Sequence, residues 1–351
     1  MLTRSTPMPP MNLKALAAHL GLSQGTVSRA LNGYPSISQE TRERVSEAAI
    51  RFGYRPNQSA RALATGRADA IGIVFAADDN PLLDPHFLEF LAGAAEAGAA
   101  SDLSINLAAT SPQEELARYE RLARTRQVDG FLVNAPLVED PRIEALQRIG
   151  APFIVHARTQ ANSPYAWLDI DNEGAFERAT RLLLDFDHRR IALLNGHLRY
   201  SYATHRLAGY AAAIEEAGLT LDPDLIVSGP MTEEVGFRET RRMLALGERP
   251  TAILCGSMLV ALGVLRALRD SGLDVPGDCS VIAHDDVFPF ITPESLRPTL
   301  TTTRSPIRIH GRRIVAMLMA LIEGAPPESQ QELLPMELVM RDSVARAPKR
   351  S

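Results

Sequence analysis

Residues 12–33, NLKALAAHLGLSQGTVSRALNG, decide how the start of this 351-residue chain folds. Asn12 can cap a helix on which Leu13, Leu16, Ala17 and Leu20 fall at i, i+3, i+4 and i+7, one apolar stripe that Gly21 ends. Ser23 can cap a second short helix with Val27, Ala30 and Leu31 inward, stopped by Asn32-Gly33. Two helices joined by a tight glycine turn make a helix-turn-helix. A third segment begins at Ser38, with Glu40 in its first turn to suit the helix dipole. It carries Val45, Ala48, Ala49 and Phe52 before Gly53, so three stripes can close a small core. What the second helix leaves outside is Gln24, Gly25, Ser28 and Arg29, with Thr26 and Asn32 beside them. Arginine can read guanine bidentately, glutamine can read adenine and serine can bind phosphate, which is the chemistry of the DNA major groove.

Charge is distributed to match. The chain has 37 basic and 42 acidic residues, a net charge of −5, but residues 1–67 hold nine of the former and three of the latter. A polyanion would meet the first sixth of the chain and be repelled by the rest. A chance excess on a solvated helix surface would give the same count, so charge alone decides nothing.

Together with GYRPNQSARALATG (53–66), the opening stretch resembles the lac repressor (LacI/GalR) family of transcription regulators. The resemblance implies a DNA-binding domain over 12–56 and a hinge over 57–68 that becomes helical on the operator. There Asn57, Ser59, Ala60, Leu63 and Ala64 would contact DNA. Leu63 would wedge into the minor groove, where an apolar side chain kinks the duplex. Operator reading by one short helix also implies a homodimer on a near-palindromic site. The ending VARAPKRS lacks the leucine heptads of the family's tetramerising branch, which again fits a dimer.

Beyond residue 69, short apolar runs alternate with helical stretches: 70–76, 103–109, 130–135, 152–157, 190–196, 251–256 and 279–284. That order predicts parallel sheets covered on both faces, with ligands at the carboxyl ends of the strands. The resemblance continues through DIDNEGAFERATRLLLDFDHRRIALLNG and LTTTRSPIRIHGRRI. It implies an α/β sensor of two Rossmann-like lobes, as in periplasmic binding proteins, spanning 69–347. The expected N-lobe is 69–165 and 304–328 and the C-lobe 166–303 and 329–347, with crossovers near 158–170, 297–304 and 325–335.

Residue by residue, the resemblance places Arg206, Asp285, Asp84, Phe87, Arg158 and Ser257 at a small-molecule effector. Four of them also have an ordinary explanation: a surface salt bridge for Arg206, a strand-end cap for Asp285, core packing for Phe87 and crossover packing for Arg158. This chain departs from the family at Ala157, Ser257-Met258 and Met231. With an aromatic replaced by Met231 the case for a purine weakens, and the remaining arginines and aspartates suit a carbohydrate. A purine, nucleoside or other metabolite stays open. PFIVHAR (152–158) is similar to a variant found in regulators responding to α-glucosides and related sugars.

Other classes fit less well. No G-x-G-x-x-G follows the first strand, and GAAEAGAAS (93–101) lacks the lysine of a phosphate loop, which argues against an enzyme. No cysteine or histidine cluster in the sequence suggests a metal, so neither metal nor cofactor is expected. Cys255 and Cys279 lie in apolar runs and fit a reducing compartment. No run reaches the ~18 apolar residues of a membrane span, and MLTRSTPMPPMNLK is not a signal peptide, so a cytoplasmic location is expected.

Overall fold

The computed structural model describes residues 11–31, 33–54, 66–77, 81–284 and 291–349. Two compact units result, residues 1–68 and 69–351.

The first unit is the expected three-helix domain: α1 (Leu13–Leu20), α2 (Gln24–Leu31) and α3 (Gln39–Arg51). The caps are those the sequence announces. Asn12 Oδ1 accepts from Ala15 N, Ser23 Oγ from Thr26 N and Ser38 Oγ from Thr41 N. Gly21 takes the left-handed conformation, φ 66°, that closes α1 without a Cβ penalty. Leu16, Ala17, Leu20, Val27, Ala30, Val45, Ala48 and Ala49 form the buried core, with Leu13, Leu31 and Phe52 packed around it. Arg44 donates to the Leu20 carbonyl at 2.7 Å, satisfying an end of α1 that its own helix leaves unpaired.

The second unit holds two six-stranded sheets. In the first, β2 (Ser104–Thr110), β1 (Ala70–Ala76), β3 (Gly130–Asn134), β4 (Phe153–His156), β5 (Ala166–Ile170) and β11 (Gln331–Leu334) lie side by side, all parallel. In the second, β7 (Ile226–Ser228), β6 (Ile191–Asn195), β8 (Ala252–Cys255), β9 (Ser280–His284) and β10 (Thr301–Arg304) are parallel, and β12 (Glu337–Val339) closes the edge antiparallel to β10. Helices α4 (Pro85–Ala100), α5 (Glu115–Arg124), α6 (Pro141–Ile149) and α11 (Ile307–Ile322) accompany the first sheet. Helices α7 (Asn172–Asp185), α8 (Ser201–Glu216), α9 (Glu233–Leu244) and α10 (Met258–Asp270) accompany the second.

The central strands are buried because the helices cover them, whereas the edge strand β2 is largely exposed. Ile71, Ile73, Leu132, Ile154 and Leu168 meet Phe90 of α4 and Ile314 and Leu318 of α11. In the second lobe one face meets α7 and α8 through Phe176, Leu183 and Ile214, and the other meets α9 and α10 through Met243, Val260 and Val264. Helix pairs approach until backbones touch: a Cβ on Gly93 of α4 would overlap the Arg308 carbonyl, and one on Gly311 of α11 the Phe90 carbonyl. Among the described residues no helix is long and apolar enough to cross a membrane.

The lobe boundaries differ from expectation. β5 was expected to open the C-lobe, yet it pairs with β4 on one side and β11 on the other, so 166–170 and 331–334 belong to the first lobe. The chain therefore crosses between sheets at Asp171, at Ser305–Pro306 and at Pro335–Met336. These strands are short and of mixed polarity, and QELL alternates exposed and half-buried residues, so their partners are set by neighbours distant in sequence.

Candidate effector cleft and groove-reading face

On α2 the burial follows the stripe. Val27 and Ala30 face inward, Gln24, Gly25 and Arg29 are exposed, and Thr26 and Ser28 are half-buried. The Arg29 Nε donates to the Gly25 carbonyl one turn back, 3.2 Å away, which holds the guanidinium along the outer face. Thr26 is drawn into the cap, its hydroxyl 2.8 Å from Ser23 Oγ. Asn32, Asn57, Ser59, Ala60, Leu63 and Ala64 lie outside the described residues.

In the second unit a cavity of about 390 Å³ opens between the lobes, at the carboxyl ends of both sheets. Strand ends supply much of its wall: Asn134 of β3, His156 of β4, Asp169 and Ile170 of β5, and His284 of β9. Where parallel strands end, the next residues leave the sheet, so polar groups there are free to face a ligand.

Four of the six anticipated effector residues line this cavity: Asp84, Phe87, Arg206 and Ser257. Arg206 is only 4 % exposed. Its Nε donates to Asn172 Oδ1 at 2.7 Å and its Nη1 to the Gly256 carbonyl at 2.9 Å. Its guanidinium lies 5.1 Å from the Phe176 ring centre and 4.8 Å from that of Tyr202. A surface salt bridge is thereby ruled out for it. Asp84 caps α4, accepting from His86 N, and stays exposed. Ser257 caps α10 by accepting from Val260 N. Phe87 reaches the cavity while packed in the core of the first lobe.

Arg158 is placed differently. It does not line the cavity; its Nε donates to Asp169 Oδ2 at 2.8 Å and its guanidinium lies over the ring of Trp167, the chain's single tryptophan. The carboxylate it braces is what faces the cavity, and burial pushes the Asp169 pKa up against the lowering pull of Arg158. Asp285 lies outside the described residues.

Several lining residues escaped the sequence reading: His86, Asn134, His156, Asp169, Asn172, Tyr200, Tyr202 and His284. A usable signal existed, because Asn134, His156 and His284 are each the polar residue that ends an apolar strand run. His156 Nδ1 lies 3.0 Å from Asn134 Oδ1 and its ring stacks on Phe90 at 4.1 Å. His284 Nδ1 lies 2.9 Å from Thr303 Oγ1. Folding thus gathers histidines that are far apart in sequence, though no group of side chains suited to a metal occurs among the described residues. Across the cleft, Tyr200 and Tyr202 stack at 5.8 Å.

The lobes also touch through backbone. Val138 N donates to the Arg199 carbonyl and Ser201 N to the Pro136 carbonyl, both at 3.0 Å, forming a bridge between Leu137 and Tyr200. The 135–138 loop is held by Asp140, which accepts from Leu137 N and from Arg142.

Burial holds His156, His188 and His284 below the ordinary histidine pKa. Each is uncharged when folded but takes a proton when unfolded below about pH 6.5. The stability they contribute is complete above that pH and falls as pH drops from about 6.5 toward the folded values. The slope reaches at most about 1.4 kcal/mol per pH unit for each histidine. Thermal unfolding is expected to be flat from about pH 7 to about pH 8 and to move to lower temperature between about pH 6.5 and about pH 5.5; an unchanged midpoint at about pH 5.5 would show that these imidazoles accept protons in place.

Comparison with known proteins agrees with this architecture. Residues 12–57 match the family Bacterial regulatory proteins, lacI family, and residues 180–344 match a periplasmic binding protein-like domain. The HTH-type transcriptional regulator AglR of Rhizobium meliloti is 45% identical over 97% of this chain and 96% of its own length. RafR of Escherichia coli, another HTH-type transcriptional regulator, is 36% identical over 92% of this chain and 95% of its own length. Among solved structures, the lac repressor dimer bound to operator and the anti-inducer ONPF superposes with a TM-score of 0.82 at 27% identity, covering 96% of this chain and all of that one. The CelR–cellobiose complex superposes with a TM-score of 0.70 at 29% identity, covering 95% and 99%. With a three-helix headpiece ahead of a two-lobed α/β domain and relatives matched along nearly its whole length, this chain belongs to the LacI family of bacterial transcription regulators.

Proposed function

We propose that the protein is a cytoplasmic repressor, without enzymatic turnover, that binds a near-palindromic operator as a homodimer and whose DNA affinity is set by a carbohydrate in the interlobe cleft. Gln24, Gly25, Ser28 and Arg29 would read the major groove, supported by Thr26 and Asn32. Asn57, Ser59, Ala60, Leu63 and Ala64 would engage the minor groove. Asp84, Phe87, Arg206, Ser257 and Asp285 would meet the effector, with Arg158 acting through Asp169. The observation that carries the sugar reading is the make-up of the cavity: imidazoles held neutral by burial, two amides, two tyrosines, two carboxylates and a buried arginine around apolar faces. Hydroxyl-rich ligands both donate and accept and present apolar ring faces, so they match such a wall. The CelR complex holds cellobiose and the lac repressor structure holds ONPF, which favours the same class here.

The test is a thermal-shift panel on the full chain with maltose, cellobiose, sucrose, raffinose, adenosine and guanine. A ligand at about 100 times its Kd adds ~2.7 kcal/mol of stability. A shift with a sugar and none with adenosine or guanine is the expected result; the reverse would reassign the effector to a nucleoside or base.

Gly25 offers a test of the DNA face with opposing signs. A Cβ there would meet only Ser23 Oγ at 3.8 Å, so the headpiece itself does not require glycine on this exposed helix. Gly25→Ala is expected to stabilise the headpiece by about 0.5–1 kcal/mol and yet weaken operator binding, because the added methyl meets the DNA. Stabilisation with unchanged operator affinity in a gel-shift titration would remove Gly25 from the interface.

A further inference from the structure

His284 is one of the cavity's buried polar groups, 3 % exposed at the end of β9, with its ring near Phe176 and His86 at 5.8 and 6.1 Å. Among the described residues only one of its two nitrogens is occupied. Nδ1 lies 2.9 Å from Thr303 Oγ1 of β10, whereas Nε2, also buried, has no hydrogen-bond partner among the described residues. A second buried histidine shows what a purely structural imidazole looks like in this fold. His188, fully buried, has Nδ1 at 2.9 Å from Thr251 Oγ1 and Nε2 at 3.0 Å from both Ser280 Oγ and the Ala345 carbonyl. Buried polar atoms are almost always paired, so an orphan on a cavity wall marks a place for a ligand atom.

We propose that His284 is a specificity-determining residue of the effector site, its Nε2 making a hydrogen bond to one hydroxyl of the bound carbohydrate. The Thr303 bond leaves Nε2 a single role, donor or acceptor, and a hydroxyl can complement either. The positive Arg206 close by disfavours a cationic ligand. Thr303 lies one residue before the end of β10, the strand that leads through Ser305–Pro306 into α11 of the other lobe, so this contact joins the ligand to a chain crossover.

The inference rests on the carbohydrate reading above, and the test separates the two. Wild type, His284→Phe and His284→Gln are titrated calorimetrically with whichever of maltose, cellobiose, sucrose or raffinose stabilises the wild type, and with the monodeoxy analogues of that sugar. Unliganded thermal unfolding of each variant confirms that it folds. In parallel, the His284 Nε2 resonance is followed by 15N NMR as sugar is added to wild type. His284→Phe is expected to weaken the parent sugar roughly tenfold and to leave one monodeoxy analogue bound as in wild type, while His284→Gln recovers part of the loss and the Nε2 resonance shifts. An equal loss for the parent and every analogue, or an unmoved Nε2 resonance, would overturn it. If a sugar binds wild type and both variants alike, only this inference fails; if none binds wild type, the carbohydrate reading fails and takes this inference with it.

Discussion

Arg206→Ala is expected to weaken effector binding by at least about 100-fold while leaving the headpiece folded. Hydrogen bonds to a charged group contribute about 1.5–3 kcal/mol each. Here the guanidinium ties Asn172, at the start of α7, to the Gly256 carbonyl after β8, with Phe176 and Tyr202 against it. Its loss orphans two acceptors on the cavity wall and removes the cavity's buried cation. Arg206→Lys keeps the charge but not the planar fork, so it is expected to fold close to wild type and still lose roughly tenfold in affinity. Calorimetric titration with the stabilising sugar, or the emission of Trp167 if it responds, reads both. Binding by Arg206→Ala within threefold of wild type would mean that the arginine only packs the lobe.

Arg142→Met is expected to destabilise the second unit by about 3–5 kcal/mol, because it leaves an uncompensated buried carboxylate. The Asp140 side chain has no exposed surface and receives Arg142 Nε and Nη2, the latter at 2.6 Å. Arg142 also reaches Glu115 and the carbonyls of Asn134 and Ala135, so one guanidinium fixes the loop that carries a cavity residue and the interlobe bridge. Adding Asp140→Asn keeps a side chain able to cap α6 while removing the stranded charge, so the double variant is expected to regain part of the loss. Urea unfolding checks both, and a cost below 1 kcal/mol for the single variant would show that the cluster is hydrated.

The headpiece was almost fully legible in the sequence. Its caps and stripes lie within a few residues of one another, and each stripe residue from Leu16 to Ala49 that was read as inward is inward or half-buried. The central strands were legible as well, since runs such as AIGIVFA are buried on both faces. Strands β5, β10 and β11 were not located: Thr301, Thr302 and Thr303 are polar residues buried by partners such as Ser343, Arg341 and His284 that lie far away in sequence. The cleft divides in the same way. Arg206 stood out because a long motif surrounds it, whereas His156 and His284 become site residues only when two sheets bring their strand ends together. Arg158 shows the opposite limit, since a position beside the cleft did not reveal that its side chain turns to Asp169.

The most direct test of the central claim is operator affinity of the full chain, measured by fluorescence anisotropy with and without a saturating concentration of the sugar that stabilises it, for wild type and Arg206→Ala. A coupling of about 1–3 kcal/mol corresponds to a change of roughly 5- to 150-fold. Wild type is expected to change by at least the lower bound, and Arg206→Ala to bind the operator with no response to sugar. A wild-type protein that binds both ligands and shows the same operator affinity in the presence and absence of sugar would contradict the account.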